Sequence, residues 1–194
     1  MSVADSRSVA ELVRALDEGQ TAHFLFYWGH RSAKDGRITK SCFSQWYESP
    51  FEVAGVSYPT AEHYMMAAKA ALFGDVQTRE HILAAKTPGA AKALGRQVVG
   101  FDEDVWAQER MRIVVDANLG KFTRNAQLSE FLLNTGDSVL VEASPVDRVW
   151  GIGLAAEDLD TQHPSRWRGL NLLGFALMEV RDVLARRRRI DSTR

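Results

Sequence analysis

The stretch YPTAEHYMMAAKA, residues 58–70, places a carboxylate and an amine on one face of an expected helix. Thr60 is a suitable N-cap, Pro59 resists continuing the helix backwards, and Ala61 onward holds strong helix formers without a breaker. Glu62 then falls in the first turn and Lys69 seven residues later, with Met65 and Met66 between them. A face carrying two methionines is expected to be at least partly buried, and burial shifts the ionisation of both acids and amines. The plainer alternative is a solvated edge, with Glu62 favoured at a helix N-terminus and Lys69 snorkelling to water. A second group, DRVWGIG at 147–153, sits in a loop just after an expected strand, where functional residues are common. Asp147 and Trp150 are three apart there, and glycines allow a ligand close to the backbone; a turn with Trp150 plugging the core is the competing reading. Trp106 reads by default as a core residue.

Other chemistries find no support. The chain has no Gly-x-Ser-x-Gly elbow, no P-loop and no Gly-x-Gly-x-x-Gly opening a helix. Its five histidines are scattered and its single cysteine, Cys42, lies in an apolar run, so neither an intrachain disulfide nor a structural zinc site is expected. Composition is ordinary at 45% hydrophobic and 25% charged, and the net charge of -1 sets up no global pull toward nucleic acid or an acidic membrane. The basic run Arg186 to Arg189 reads as a solvated helix C-terminus. No apolar run reaches membrane-spanning length and the N-terminus shows no apolar signal core, which leaves a cytoplasmic protein as the expectation.

The elements that must position these residues follow from periodicity and caps. A short amphipathic helix is expected at 8–18, with Ser8 and Glu11 at capping-box spacing and Gly19 as terminator. HFLFYW at 23–28 and SCFSQWY at 41–47 read as strands, separated by a polar loop. FEVAGVSY at 51–58 suggests a hairpin around Ala54-Gly55, although Ala is a poor residue for a primed turn. Helices follow near 60–73, 76–86, 88–98, 103–120 and 127–135, with Asp75, Thr87 and Asp102 as caps and Pro88 at a first helical position. SVLVEA at 138–143 is a strand, 144–169 is loop-rich, and a last helix runs from about 170 to 187. At 194 residues one domain is the default, and strands, then a block of helices, then one strand and a helix give an α+β, helix-rich fold with a few short strands.

Taken together these pieces resemble the NADAR family, whose better-known members are similar to N-glycosidases of riboflavin-biosynthesis intermediates. The resemblance covers about residues 24–185, with a short N-terminal helix and a basic C-terminal tail outside it. It rests on FY at 26–27, FSQW at 43–46, PTAEHY at 59–64 with Lys69, LGR at 94–96, Trp106, KF at 121–122, Asp147 with WG at 150–151, and GLNLLGFALMEVR at 169–181. It implies hydrolysis of a ribosyl C–N bond in a phosphoribosylamino pyrimidine, with no cofactor and no metal. Other members resemble hydrolases that remove ADP-ribose from guanine bases, and the near-neutral charge mildly disfavours that alternative. A non-catalytic ADP-ribose or NAD-binding module is a further alternative. The family's active-site groups fall on Glu62, Lys69 and Asp147, with Phe43, Ser44, His63, Trp106, Trp150 and Gly151 against substrate and Arg96 a candidate for the 5′-phosphate. Glu62 would act as general acid or base, Asp147 would orient the ribose or stabilise its cation, and Lys69 would attack the sugar or steady an anion. Two positions depart from the usual pattern: Gln45 replaces an Asn, and Ala143 replaces a His after the Glu of LVE. Both enzymatic readings expect Glu62, Lys69, Asp147 and Trp150 to converge on one cleft.

Overall fold

Helix formers, caps and turn residues divide the chain into seven α-helices and four short strands among the residues described, 2–191 of a computed structural model. The helices are α1 (Val9–Asp17), α2 (Ala61–Leu72), α3 (Val76–Leu83), α4 (Pro88–Gly95), α5 (Glu103–Arg124), α6 (Ala126–Leu133) and α7 (Leu172–Asp191). The strands are β1 (Phe24–Tyr27), β2 (Phe51–Val53), β3 (Val56–Tyr58) and β4 (Val139–Glu142). The expected helix-rich architecture is therefore present.

Caps set most of the boundaries. The Thr60, Asp75, Thr87 and Asp102 side chains each accept from the backbone N–H three residues on, and Pro88 opens α4. Ser8 caps α1 through the Glu11 N–H, while the Glu11 carboxylate reaches one residue further back, to the N–H of Arg7. Helix α5 runs four residues past the expected end, and α4 stops three residues short of it.

The parallel pair β1–β4, in register Phe24 to Val139 through Tyr27 to Glu142, forms one sheet, and the hairpin β2–β3 forms the other. Ala54 does take the primed-turn conformation, at φ 51° beside Gly55 at φ 77°. Helix α7 packs on β4, where a side chain at Gly174 would strike the Leu140 carbonyl at 2.1 Å. Buried Asn171 fastens the same strand, accepting from the Glu142 N–H and donating to the Leu140 carbonyl. That clasp holds the C-terminal end of β4, and with it Glu142, against rigid helix.

The segment expected as a strand at 41–47 is instead a 3-10 turn over Lys40–Phe43. Its backbone finds partners locally, Cys42 N–H to Thr39 and Ser44 N–H to Ser41. The Lys121 ammonium, fully buried on α5, fixes the turn by donating to the carbonyls of Cys42 at 2.5 Å and Ser44 at 2.9 Å. A strand would leave that amine without acceptors in the core, at a cost of several kcal/mol on the order of a buried unpaired charge. Burial also draws the Lys121 pKa down to about 7.

Candidate active site

The wall made by this turn carries the site. Ser44 and Trp46 line a cleft of about 290 Å³, and Gln45 between them accepts from the Glu62 N–H at 3.0 Å. The start of α2 is thereby tied to the cleft wall. Across the cleft stand Glu142, from the end of β4, and Asp147, from the loop that follows it; Tyr27 and Lys92 complete its lining. Two parallel strands thus deliver Tyr27 and Glu142 at the same register position, since those two residues are paired partners.

Glu62 is 2% exposed. Burial raises its pKa to about 7, moderated by the nearby Lys92 ammonium and an interaction with the Trp46 side chain, and pushed further by the charge of Asp147. Glu142 is raised to about 8, again by burial first, then by Asp147, with Lys92 opposing and Glu62 adding. The two glutamates and Asp147 therefore belong to one electrostatic group, with Lys92 its near cation and Arg96 a weaker one acting on Glu62. Such a set holds a protonated acid and an ionised carboxylate together near neutral pH, as acid–base chemistry requires.

Orphaned polar atoms mark the same place. Buried atoms without a hydrogen-bond partner include the Tyr27 hydroxyl, one oxygen each of Glu62 and Glu142, the Gln45 amide nitrogen and the Asn118 amide oxygen. Gln45 and Asn118 bond each other through their remaining amide atoms at 2.8 Å. Unsatisfied buried polar groups are costly, and those of Tyr27 and Glu142, both in the cleft lining, fit a site that completes its bonds with a ligand or water.

Asp147 is held by its own loop. One carboxylate oxygen accepts from the N–H groups of Val149 and Trp150 at 2.9 and 2.8 Å, and its N–H donates to the Ser144 hydroxyl. Gly151 lets this loop lie on β4: a side chain there would sit 2.7 Å from the Glu142 carbonyl. Its visible role is close backbone packing. Trp150 is half-buried and packs on the core, placing its backbone rather than its ring at Asp147.

Phe43 is fully buried among Tyr27, Phe122 and Phe131, so of the FS pair only Ser44 lines the cleft. His63 is buried, with Nδ1 paired to the Thr60 hydroxyl at 2.8 Å and Nε2 to the Ala85 carbonyl at 3.1 Å. Lys69 lies at the far end of α2, where its amine donates to the Gly95 carbonyl at 3.0 Å and rests 3.9 Å over the Phe101 ring and 5.6 Å from Trp106. Burial lowers its pKa. Lys69, Trp106 and the exposed Arg96 do not line the cleft. Of the four residues expected to converge on one cleft, only Asp147 lines it; Glu62 lies outside the lining but is electrostatically coupled to Asp147 and Glu142, and Lys69 and Trp150 stand elsewhere, while Glu142 and Lys92, not singled out from sequence, do line the cleft. Glu142 was signalled by a charge closing the apolar run VLV; Lys92 by being the one charged residue in PGAAKALG. Among the described residues no group of three or more His, Cys, Asp or Glu is placed to hold a metal ion. No helix there is long and apolar enough to cross a membrane.

Comparison with known proteins fits this picture. The NADAR domain profile matches residues 26–185. The chain is 38% identical to N-glycosidase R617 of Acanthamoeba polyphaga mimivirus, over 84% of this chain and 97% of that protein. It is 33% identical to N-glycosidase YbiA of Escherichia coli strain K12, over 75% and 80% of the two chains. The NMR structure of E. coli YbiA superposes with a TM-score of 0.68 at 28% identity, covering 87% of this chain and 89% of that one.

Proposed function

The chain belongs to the NADAR family and is, with its named relatives, an N-glycosidase; within that class we propose that it hydrolyses the ribosyl C–N bond of phosphoribosylamino pyrimidines and releases ribose 5-phosphate. The observation that carries the chemistry is the electrostatic coupling of buried Glu62 and half-buried Glu142 to one another and to Asp147 at an aromatic-walled cleft. Breaking this bond develops positive charge on the sugar, which ionised carboxylates stabilise, and leaves a nitrogen that needs a proton. Asp147, whose geometry is fixed by two backbone N–H groups, faces the sugar cation. Of the two glutamates one is protonated and donates to the leaving nitrogen, while the other is ionised and orients the attacking water. Trp46 offers the departing heterocycle an aromatic surface.

Lys69 has a supporting part in this reading. Its bond to the Gly95 carbonyl ties the end of α2 to the end of α4, the helix that carries Lys92. Hydrolysis is direct, by water.

The test is product analysis by mass spectrometry, with wild type and Glu62→Gln incubated with a phosphoribosylamino pyrimidine and, separately, with DNA bearing ADP-ribosylated guanine. Release of ribose 5-phosphate by wild type alone is the expected result. Release of ADP-ribose in its place assigns the chain to base repair, and binding without any release makes it a ligand-binding module; either overturns the substrate proposed here.

A further inference from the structure

The carboxylate cleft shares two walls, His30 and Trp46, with a larger cavity of about 550 Å³. The two rings lie 5.5 Å apart, so the chambers are neighbours across one aromatic divider. Their charges are opposite. The first chamber has Glu142 and Asp147 in its lining and Glu62 behind Trp46, against the single ammonium of Lys92. The second is lined by Arg31 and Lys86, with Glu48 the one carboxylate among its described lining residues. Among the described residues none of those three forms an ion pair, although they border one space. His63 also borders this chamber, but both its ring nitrogens are already engaged. The capped start of α4, from Thr87 to Gly89, forms another part of the wall and adds the positive end of a helix dipole. Gly89 packs on that divider: a Cβ there would meet the Trp46 ring in ordinary van der Waals contact at 3.5 Å.

A phosphate dianion set among the carboxylates of the first chamber would be repelled, whereas a sugar cation there is stabilised. A substrate carrying both must place them apart. We infer that the second chamber is the phosphate subsite of the same active site: it takes the phosphate of a phosphorylated ribosyl group whose anomeric carbon lies in the carboxylate cleft, with Arg31 and Lys86 as its cationic contacts. This rests on the N-glycosidase reading above and gives the phosphate a different partner from Arg96, which lines neither chamber. Arg31 suits a two-pronged contact with phosphate oxygens, and Lys86 supplies a point charge.

The test uses the full chain and the double variant Arg31→Ala/Lys86→Ala. Both side chains are exposed, so the fold should survive, as circular dichroism will check. Calorimetric titration with ribose 5-phosphate should show binding that weakens roughly tenfold or more in the variant, the loss expected of charged hydrogen bonds. With a phosphoribosylamino pyrimidine as substrate, KM should rise by a similar factor while kcat stays within about twofold, because the bond to phosphate is made equally in ground and transition states. The same riboside without its phosphate should be cleaved equally by both proteins. Unchanged ribose 5-phosphate affinity in the variant, or an equal loss on both substrates, overturns the subsite. A single-stranded oligonucleotide tests the other source of phosphate: if it binds through Arg31 and Lys86 while ribose 5-phosphate does not bind, the chamber serves a nucleic-acid backbone and the inference is overturned. If the aminopyrimidine is not cleaved, yet ribose 5-phosphate binds and the variant loses it, the proposed substrate falls and the phosphate subsite stands.

Discussion

Helix α2 has two ends with different chemistry. Its first turn carries Glu62, almost fully buried and in the field of two more carboxylates, Asp147 and Glu142, and of the Lys92 and Arg96 cations. Its last turn carries Lys69, half-buried, in a box made by the Gly95 carbonyl and the rings of Phe101 and Trp106. Sequence spacing alone places both residues on one face. Seven residues of helix also separate them by about 10 Å along the axis, enough to give each end its own neighbours. Sharing a helix face is therefore a weaker statement than sharing a site. Glu62 is set among groups that change what a proton costs, whereas Lys69 is set among groups that fix where an amine sits.

The sharpest way to probe that contrast is to remove the carboxyl function at the first end. Glu62→Gln should lower kcat/KM about 10³-fold, within the range of a lost general acid or base, with the fold retained by circular dichroism. Glu142→Gln should cost about 10²-fold and should abolish one limb of the pH–rate profile, because the two glutamates divide the acid and base roles. An unaltered profile in Glu142→Gln, read from kcat/KM between pH 5 and 9, would take Glu142 out of the chemistry and leave Glu62 to act with Asp147 alone.

How much of this was visible in the sequence differs by residue. The caps at Thr60, Asp75, Thr87 and Asp102 act locally, through N–H groups three residues away, and local signals sufficed to place them. Glu62 and Asp147 were legible because each sits in a recognisable start or turn. The 41–47 segment misled because its aromatic and polar pattern suits a strand, while its conformation is decided by Lys121, nearly eighty residues away. Glu142 and Lys92 escaped for the same reason: a strand's end and a helix's middle meet only after β1 pairs with β4 and α4 packs on α2. Trp106, read as a core residue on its own helix, does pack in the core, and its neighbour there is Lys69.

Stability against pH offers a second, smaller measure of the first end. In the unfolded chain Glu62 titrates near its ordinary 4.5; in the fold it is raised to about 7. The folded state then holds a proton that the unfolded state has released. Its stability is fully present below pH 4.5 and falls as pH rises through 7, by up to about 3 kcal/mol. Glu142 extends the loss toward pH 8. Lys121, lowered by burial, acts in the opposite sense at higher pH, gaining stability as the solution rises from about 7 toward the ordinary lysine range. Glu62→Gln lacks the titrating group but keeps Lys121, so the comparison cancels the lysine. Denaturant melts at pH 5 and pH 8 should show wild type losing more stability than the variant between the two values. Parallel losses in both proteins would mean that Glu62 titrates normally and that its environment is wetter than its burial indicates.

The smallest expected effect belongs to the other end of α2. Lys69→Met removes the amine but keeps an unbranched chain between Phe101 and Trp106, and loses one hydrogen bond to the Gly95 carbonyl. Because that bond steadies α4 rather than the reacting atoms, the variant should keep kcat within about fivefold and be less stable by about 1 kcal/mol, the worth of one hydrogen bond. Borohydride added during turnover should trap no sugar on Lys69, as mass mapping of the wild-type protein would verify. A trapped adduct at Lys69, or a loss matching that of Glu62→Gln, would mean that the amine leaves its box during reaction and attacks the sugar directly. The burial that lowers the Lys69 pKa would then serve catalysis. The contrast between the two ends of the helix would reduce to a difference between the resting and reacting enzyme.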